Sequence, residues 1–407
     1  MNLFNLLGIF PALTVKNYRT FWISQWIALM GLWMQLTAQQ WLVYTMTDSA
    51  LLLGLLSAMQ YLPSLLFSLW AGYFIDRCVK RHVLIGTQAM YMLQAFLLGL
   101  LVYTGHQSYG WILFFAFFLG TIDCVDMPAR YAFLPILVSK EYLKSATSLN
   151  STNFNITRML GPILAAFLLS FLTYDDVFFL DAACLLPILY AYIRMKVPPE
   201  PPFEKKGSVL SEIKEGVGYT LTHATILSHL LSVAVVSGLI LNFGCYGPPF
   251  ADRVLHAGLE GFSRILFSVG AGSMLGGLLS AVGTKKPSQN TAFYAGVLCG
   301  ACLITVSQMT QELPSYLLFS GIGFTAITSI VNSNTIIQIS TERRFLGRVM
   351  SLYTLVFLGA TPFGSVIASS IIEFSGTSQG LLAIGLLDIV FLLLLQFFFW
   401  RGEGPEP

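Results

Sequence analysis

The chain has 407 residues, 55% of them hydrophobic and only 10% charged, with a net charge of +2 and a mean hydropathy of +0.72. This composition excludes a soluble globular domain of that length, and the long unalternated apolar runs exclude an outer-membrane barrel, whose strands would alternate lipid-facing and lumen-facing residues. What remains is an all-α membrane protein, because inside hydrocarbon every backbone polar group must be satisfied within a helix.

The first residues carry neither a basic stretch nor a small-residue cleavage site and are read as retained. The segment 3–13 is too short to span, is broken by Pro11, and is expected along the cytoplasmic interface. Apolar runs able to cross about 30 Å of hydrocarbon at roughly 1.5 Å per residue follow at 18–46, 50–75, 83–103, 109–138, 145–172 and 177–195, then at 226–250, 261–283, 291–309, 313–339, 345–372 and 379–400. They predict twelve transmembrane helices in two six-helix bundles. The N-terminal bundle is 1–196, the C-terminal bundle 226–407, and a cytoplasmic linker, 197–225, joins them.

In the first span Gln35 and Gln39 stand at i and i+4 and share a face, which is expected to line a polar cavity, the alternative being hydrogen bonds across to a neighbouring helix. Between the second and third spans lies the densest charge of the chain, in the turn Gly72-Tyr73-Phe74-Ile75-Asp76-Arg77-Cys78-Val79-Lys80-Arg81. In the fourth span Asp123 falls roughly 20 Å deep at helical rise, Asp126 shares its face, and Arg130 follows one turn on. The fifth span holds Asn150, Asn153 and Asn155 as cavity candidates, Arg158 at the depth of Asp123, and Gly161-Pro162 as a kink. Each intramembrane charge costs roughly 2.5–3.5 kcal/mol on insertion scales, so pairing of the aspartates with Arg158 across the fourth and fifth spans is expected.

The linker opens with Pro198, Pro199, Pro201 and Pro202, continues through Lys205 and Lys206, and then places Leu210, Ile213, Val217 and Leu221 at helical spacing, as a surface helix would. The tenth span offers Asn332 and Asn334 as cavity residues. The eleventh begins beside Gly347-Arg348 and carries Pro362 and Gly364 as a kink, and the twelfth holds one carboxylate, Asp388. Of the 22 lysines and arginines, all but Arg130, Arg158, Arg253 and Arg264 fall at one set of helix ends, while Asp48, Asp175, Asp176, Glu312 and Glu373 mark the other. By the positive-inside rule both termini are cytoplasmic. The six cysteines form no disulfide pattern, and Cys299-Gly300-Ala301-Cys302 has no second ligand pair, so no metal is expected.

The charged turn, with Gly72, Asp76, Arg77, Lys80 and Arg81, resembles the loop between the second and third helices of the major facilitator superfamily, although Val79 replaces the usual small residue. The second-half counterpart, Gly283-Thr284-Lys285-Lys286, keeps the charge without an aspartate. Trp41-Leu42-Val43-Tyr44 with Thr47-Asp48-Ser49 and Gly54, Pro128-Ala129-Arg130 through Gly161-Pro162, and Gly347-Arg348-Val349-Met350-Ser351-Leu352 resemble the branch with siderophore exporters and macrolide or multidrug efflux proteins. The resemblance implies alternating access between two six-helix halves. It implies proton-coupled efflux of a small organic molecule, a siderophore, drug or other amphiphile, across the cytoplasmic (inner) membrane. A lysophospholipid or nutrient transporter of the same fold is the alternative.

Asp123 or Asp126 is expected to exchange the proton, and Asp388 to serve a helix contact or the coupling. Asp76 is expected to dock at the helix start near Phe345 as a gating latch, the start of a helix offering unpaired N–H groups. No Gly-x-x-x-x-Gly-Lys-Ser/Thr loop is present, so a proton or other ion gradient is the expected energy source, with no cofactor. An integral membrane enzyme would need a reactive cluster, whereas His82, His106, His223, His229 and His256 are scattered. A channel would leave the two-half repeat and the gating turn unexplained. The expected partners are a small-molecule substrate and the lipid bilayer, with no nucleic acid, and the chain is expected to act as a monomer.

Overall fold

The computed structural model describes residues 10–197, 209–281 and 288–399. The expectations for residues 3–9, for the linker prolines with Lys205 and Lys206, and for the turn from Gly283 to Lys286 lie outside the described residues. After a short turn at Pro11–Thr14, the first half contains α1 (Lys16–Thr47), α2 (Ala50–Arg77), α3 (Lys80–Tyr103), α4 (Tyr109–Leu137), α5 (Leu143–Leu169), α6 (Tyr174–Cys184) and α7 (Leu186–Arg194). The linker helix is α8 (Val209–Leu221). Beyond it come α9 (Ala224–Val235), α10 (Phe243–Pro249), α11 (Gly258–Ala281), α12 (Gln289–Val306), α13 (Glu312–Ser340), α14 (Leu346–Ser375) and α15 (Thr377–Phe399).

Ten helical stretches among the described residues are long and apolar enough to cross a membrane. α1 and α5, with 32 and 27 residues, have the length but fall short in apolarity. They carry the glutamines of the first span and the asparagines of the fifth, so polar content rather than length sets them apart. Large apolar side chains such as Trp70, Phe374 and Phe398 face outward at 73%, 86% and 71% exposure, as a lipid-bathed surface requires.

Two predicted spans are interrupted. The sixth divides into α6 and α7 at Leu185, because Pro187 has no N–H for the helical ladder. The seventh consists of α9 and α10 joined by the wide-turn segment Val236–Ile240 and followed by a second one, Phe250–Val254. In these segments the Leu241 amide donates to the Val236 carbonyl at 3.2 Å and the Leu255 amide to the Phe250 carbonyl at 3.1 Å, one residue beyond the α pattern. The Asn242 side-chain amide donates to the Gly238 carbonyl, satisfying a group that the altered ladder releases.

Contacts gather the described residues into two compact units, and the division falls inside α2, just past Pro63. One unit runs to Leu42 and resumes at Leu66, ending in the first half; the other joins Val43–Leu65 to the second half. In the first unit α3 packs on α4 and α6; in the second, α12 packs on α13 and α15. The third and sixth spans thus pair as the ninth and twelfth do, which is the internal repeat seen in packing. Small residues allow close approach: a Cβ on Gly300 would lie 2.9 Å from the Gly385 carbonyl oxygen, and one on Gly364 only 1.8 Å from that of Gly238.

The segment Val43–Leu65 is fastened polar end first. Glu373 accepts from the Ala50 amide at 2.8 Å, the Leu51 amide at 3.3 Å and the Ser49 hydroxyl at 3.0 Å, capping the start of α2. Arg253 donates to the Asp48 carbonyl and carboxylate, each at 2.6 Å, and the Tyr44 hydroxyl donates to Asp252 at 3.0 Å. Below this polar clasp, a Cβ on Gly54 would meet the Ser369 hydroxyl at 1.9 Å, so backbone and side chain touch there.

Candidate functional site

The fourth-span charges sit at the junction of α3 and α4. Thr87, Gln88, Tyr91 and Gln94 fall at i, i+1, i+4 and i+7 and are all buried, so α3 presents one continuous polar stripe. Asp126 is fully buried against that stripe. Its Oδ1 accepts from the Thr87 hydroxyl at 2.6 Å and from the Gln88 amide at 2.8 Å, and its Oδ2 accepts from Arg130 one turn along α4. Asp123 accepts from the Tyr91 hydroxyl. Both aspartates therefore find their partners on α3 and α4, not on α5 as expected, because the i to i+4 spacing already places Arg130 beside Asp126. The Arg158 guanidinium lies instead 5.8 Å from the Trp33 ring centre.

Two clefts open beside this cluster, and Arg130 borders both. The first is lined by Gln25 of α1, Gln88 and Tyr91 of α3, Arg130, and Asp181 of α6. The second is lined by Met127, Arg130 and Tyr131 of α4 with Asn150, Phe154 and Asn155 of α5. The structure thus brings Asp126, Arg130, Asn150 and Asn155 to one region of the first unit, with Asp123 alongside. Arg130 Nε has no hydrogen-bond partner among the described residues, so part of the guanidinium is uncommitted.

Gln35 and Gln39 are placed differently from the cavity expectation. Both are buried; Gln35 donates to Gln94 at 3.1 Å and Gln39 to the Ile112 carbonyl at 3.4 Å, binding α1 to α3 and α4. Gln25, nearly three turns before Gln35 in α1, lines the cleft in their place. The polar stripe of α3, Gln25 and Asp181 were not anticipated. The spacing of Thr87, Gln88, Tyr91 and Gln94 is the signal that reveals the stripe, and the signal for Asp181 is the one that marks Asp388, a lone carboxylate in an apolar run.

In the second unit Asn332 donates to the Thr328 carbonyl at 2.7 Å and Asn334 accepts from Gln338 at 2.5 Å, both within α13. Asp388 is fully buried, and neither oxygen has a hydrogen-bond partner among the described residues; a Cβ on Gly300 would lie 2.7 Å from it. Pro162 and Pro362 are buried inside α5 and α14, and Gly161 admits the Trp33 side chain, 2.3 Å from where its Cβ would stand.

At the charged turn, Gly72 and Gly347 face open space and Lys80 begins α3. The Arg77 guanidinium stands 3.4 Å over the Tyr73 ring. Arg81 donates to the carbonyls of Tyr192 and Ile193 at 2.7 and 2.6 Å, satisfying the end of α7. Asp76 belongs to the last turn of α2, and its side chain lies outside the described residues. Arg348 pairs with Glu215 of α8 at 2.8 Å, while Tyr219 stacks on Phe345 with ring centres 4.3 Å apart, so the linker helix is docked on the start of α14.

Comparison with known proteins agrees with this architecture. The family model described as "Transmembrane secretion effector" matches residues 8–402. Staphyloferrin A transporter of Staphylococcus aureus is 22% identical over 93% of this chain and 95% of its own. Macrolide efflux protein A of Streptococcus pyogenes is 19% identical over 92% and 93%, and multidrug efflux pump Tap of Mycolicibacterium fortuitum 22% over 86% and 88%. A bacterial homologue of the human lysosomal transporter Spinster, in an inward-facing and occupied conformation, superposes with a TM-score of 0.73 at 14% identity, covering 96% of this chain and 99% of that one. The apolar helices, the repeated packing and the match along nearly the whole length converge: the chain belongs to the transmembrane secretion effector family of the major facilitator superfamily and is a multi-pass transporter of small molecules, not an enzyme.

Proposed function

We propose that this transporter exports a small organic molecule, a siderophore, macrolide or similar amphiphile, across the cytoplasmic membrane in exchange for protons, with both termini on the cytoplasmic side. The observation that carries the reading is the buried Asp126–Arg130 pair, held by Thr87 and Gln88 and bordered by two clefts. A charge pair that can be reached from a cleft is where a proton and a substrate can compete for the same contacts. The names of the macrolide and multidrug efflux relatives support the export direction, and those of the staphyloferrin and macrolide relatives the substrate class. At roughly 150 mV one charge moving inward releases about 3.4 kcal/mol, enough for a gradient of a few hundred-fold in a neutral solute, at about 1.4 kcal/mol for each tenfold.

On this reading the chain works by alternating access, Asn332 and Asn334 face substrate, and the Asp76 turn closes the cytoplasmic side. The test is flux in proteoliposomes holding the purified chain, with erythromycin and a citrate-type siderophore as probes, under an imposed pH gradient. Accumulation that follows the gradient and collapses with a protonophore is expected. Movement of both probes that ignores the gradient would overturn proton coupling.

A further inference from the structure

Asp181 is a carboxylate that the cluster on α4 does not use. It is 3% exposed, and no hydrogen bond or ion pair holds it among the described residues; Oδ1 is sealed from solvent without a partner. It lines the first cleft together with Gln25, whose Oε1 is likewise buried without a donor. Two orphaned acceptors on one cleft are a costly arrangement for a carboxylate and a favourable one for a carboxylic acid, which supplies the missing donor.

The backbone around it is arranged for the same end. α6 stops one turn later, at the Leu185 break that also borders the cleft, and interrupted helices in a membrane are tolerated where they line a cavity. Gly31 of α1 makes room for the carboxylate, since a Cβ there would stand 2.4 Å from Oδ1.

We infer that Asp181 is a proton-binding group of the transport cycle. This rests on the proton-exchange reading above. The neutral acid supplies a donor at the cleft, and when its proton leaves to water a carboxylate remains there with no donor to hold it. Among the described residues, Tyr91 of α3 and Arg130 of α4 line the same cleft and Cys184 stands on Asp181's own helix; on α5, Arg158 is turned to Trp33.

The experiment is infrared spectroscopy of the full chain in lipid nanodiscs across a pH titration, following the absorption of a protonated carboxyl group. The wild type should show a component that disappears as pH rises. Asp181→Asn should abolish it, Asp388→Asn should leave it, and Asp181→Glu should retain it displaced, which separates loss of the acid from loss of the fold. Gly31→Ala, by crowding the carboxylate, should move its midpoint. A titrating component undiminished in Asp181→Asn would overturn the inference even if the liposome flux is proton-driven. Conversely, the expected spectra with gradient-blind flux would leave Asp181 a proton-binding group and remove proton exchange as the drive.

Discussion

The charge cluster of α4 in the first unit and the carboxylate of α15 in the second bury polarity in opposite ways. In the first, every oxygen of Asp126 is satisfied by a neighbour from α3 or α4, and its partner Arg130 borders two clefts. In the second, Asp388 is shut against Gly300 with no partner among the described residues, and helices cross at backbone contact through Gly238, Gly364 and Gly385. Described side by side, the first unit carries adaptable charge and the second carries tight packing. A repeat can thus preserve helix pairing while its two copies specialise.

The largest expected effect that would sharpen this contrast is at Asp126. Asp126→Ala leaves Arg130 buried without its counter-charge, a loss of about 3–5 kcal/mol, read as a large fall in thermal unfolding temperature in detergent together with lost flux. Near-normal stability would mean that the pair is not the organising contact of the first unit. Next comes Gly364→Ala, whose Cβ would meet the Gly238 carbonyl oxygen at 1.8 Å. Forcing that crossing apart should cost about 1–3 kcal/mol, seen in the same melts, and a variant as stable as the wild type would show that the crossing has slack. Smallest is Asp388→Ala, which removes an orphaned acid. Stability should hold or rise by up to about 2 kcal/mol, the cost of a buried unsatisfied group, with flux intact. Lost flux at wild-type stability would move Asp388 from packing to chemistry and dissolve the comparison.

The helices were legible in the sequence because hydrocarbon thickness imposes a length that an apolar run either meets or misses. The charges within α4 were legible as well, since Asp123, Asp126 and Arg130 are spaced along one helix and need no knowledge of the others. Contacts between helices were not. Gln35 and Gln39 share a face as expected, but whether that face meets a cavity or Gln94 and the Ile112 carbonyl depends on the helices beside it. Asp181 is the extreme case: the sequence offers only a lone carboxylate in an apolar run, as at Asp388, and its surroundings at Gln25, Gly31 and Arg130 are contributed by α1 and α4. The charged turn at Asp76 is prominent in the sequence, whereas the clasp around Glu373 was not foreseen as a clasp, because its partners lie more than 300 residues apart along the chain.

That clasp has a consequence for biosynthesis. The start of α2 leaves the ribosome 323 residues before the side chain that caps it, Glu373, and Asp252 and Arg253 come only after the linker. Until then the α2 start has only the Ser49 hydroxyl, which accepts from the Leu52 amide at 3.3 Å, and water as its cap. Closing the clasp is therefore a late step of assembly, which no part of the first half can complete alone.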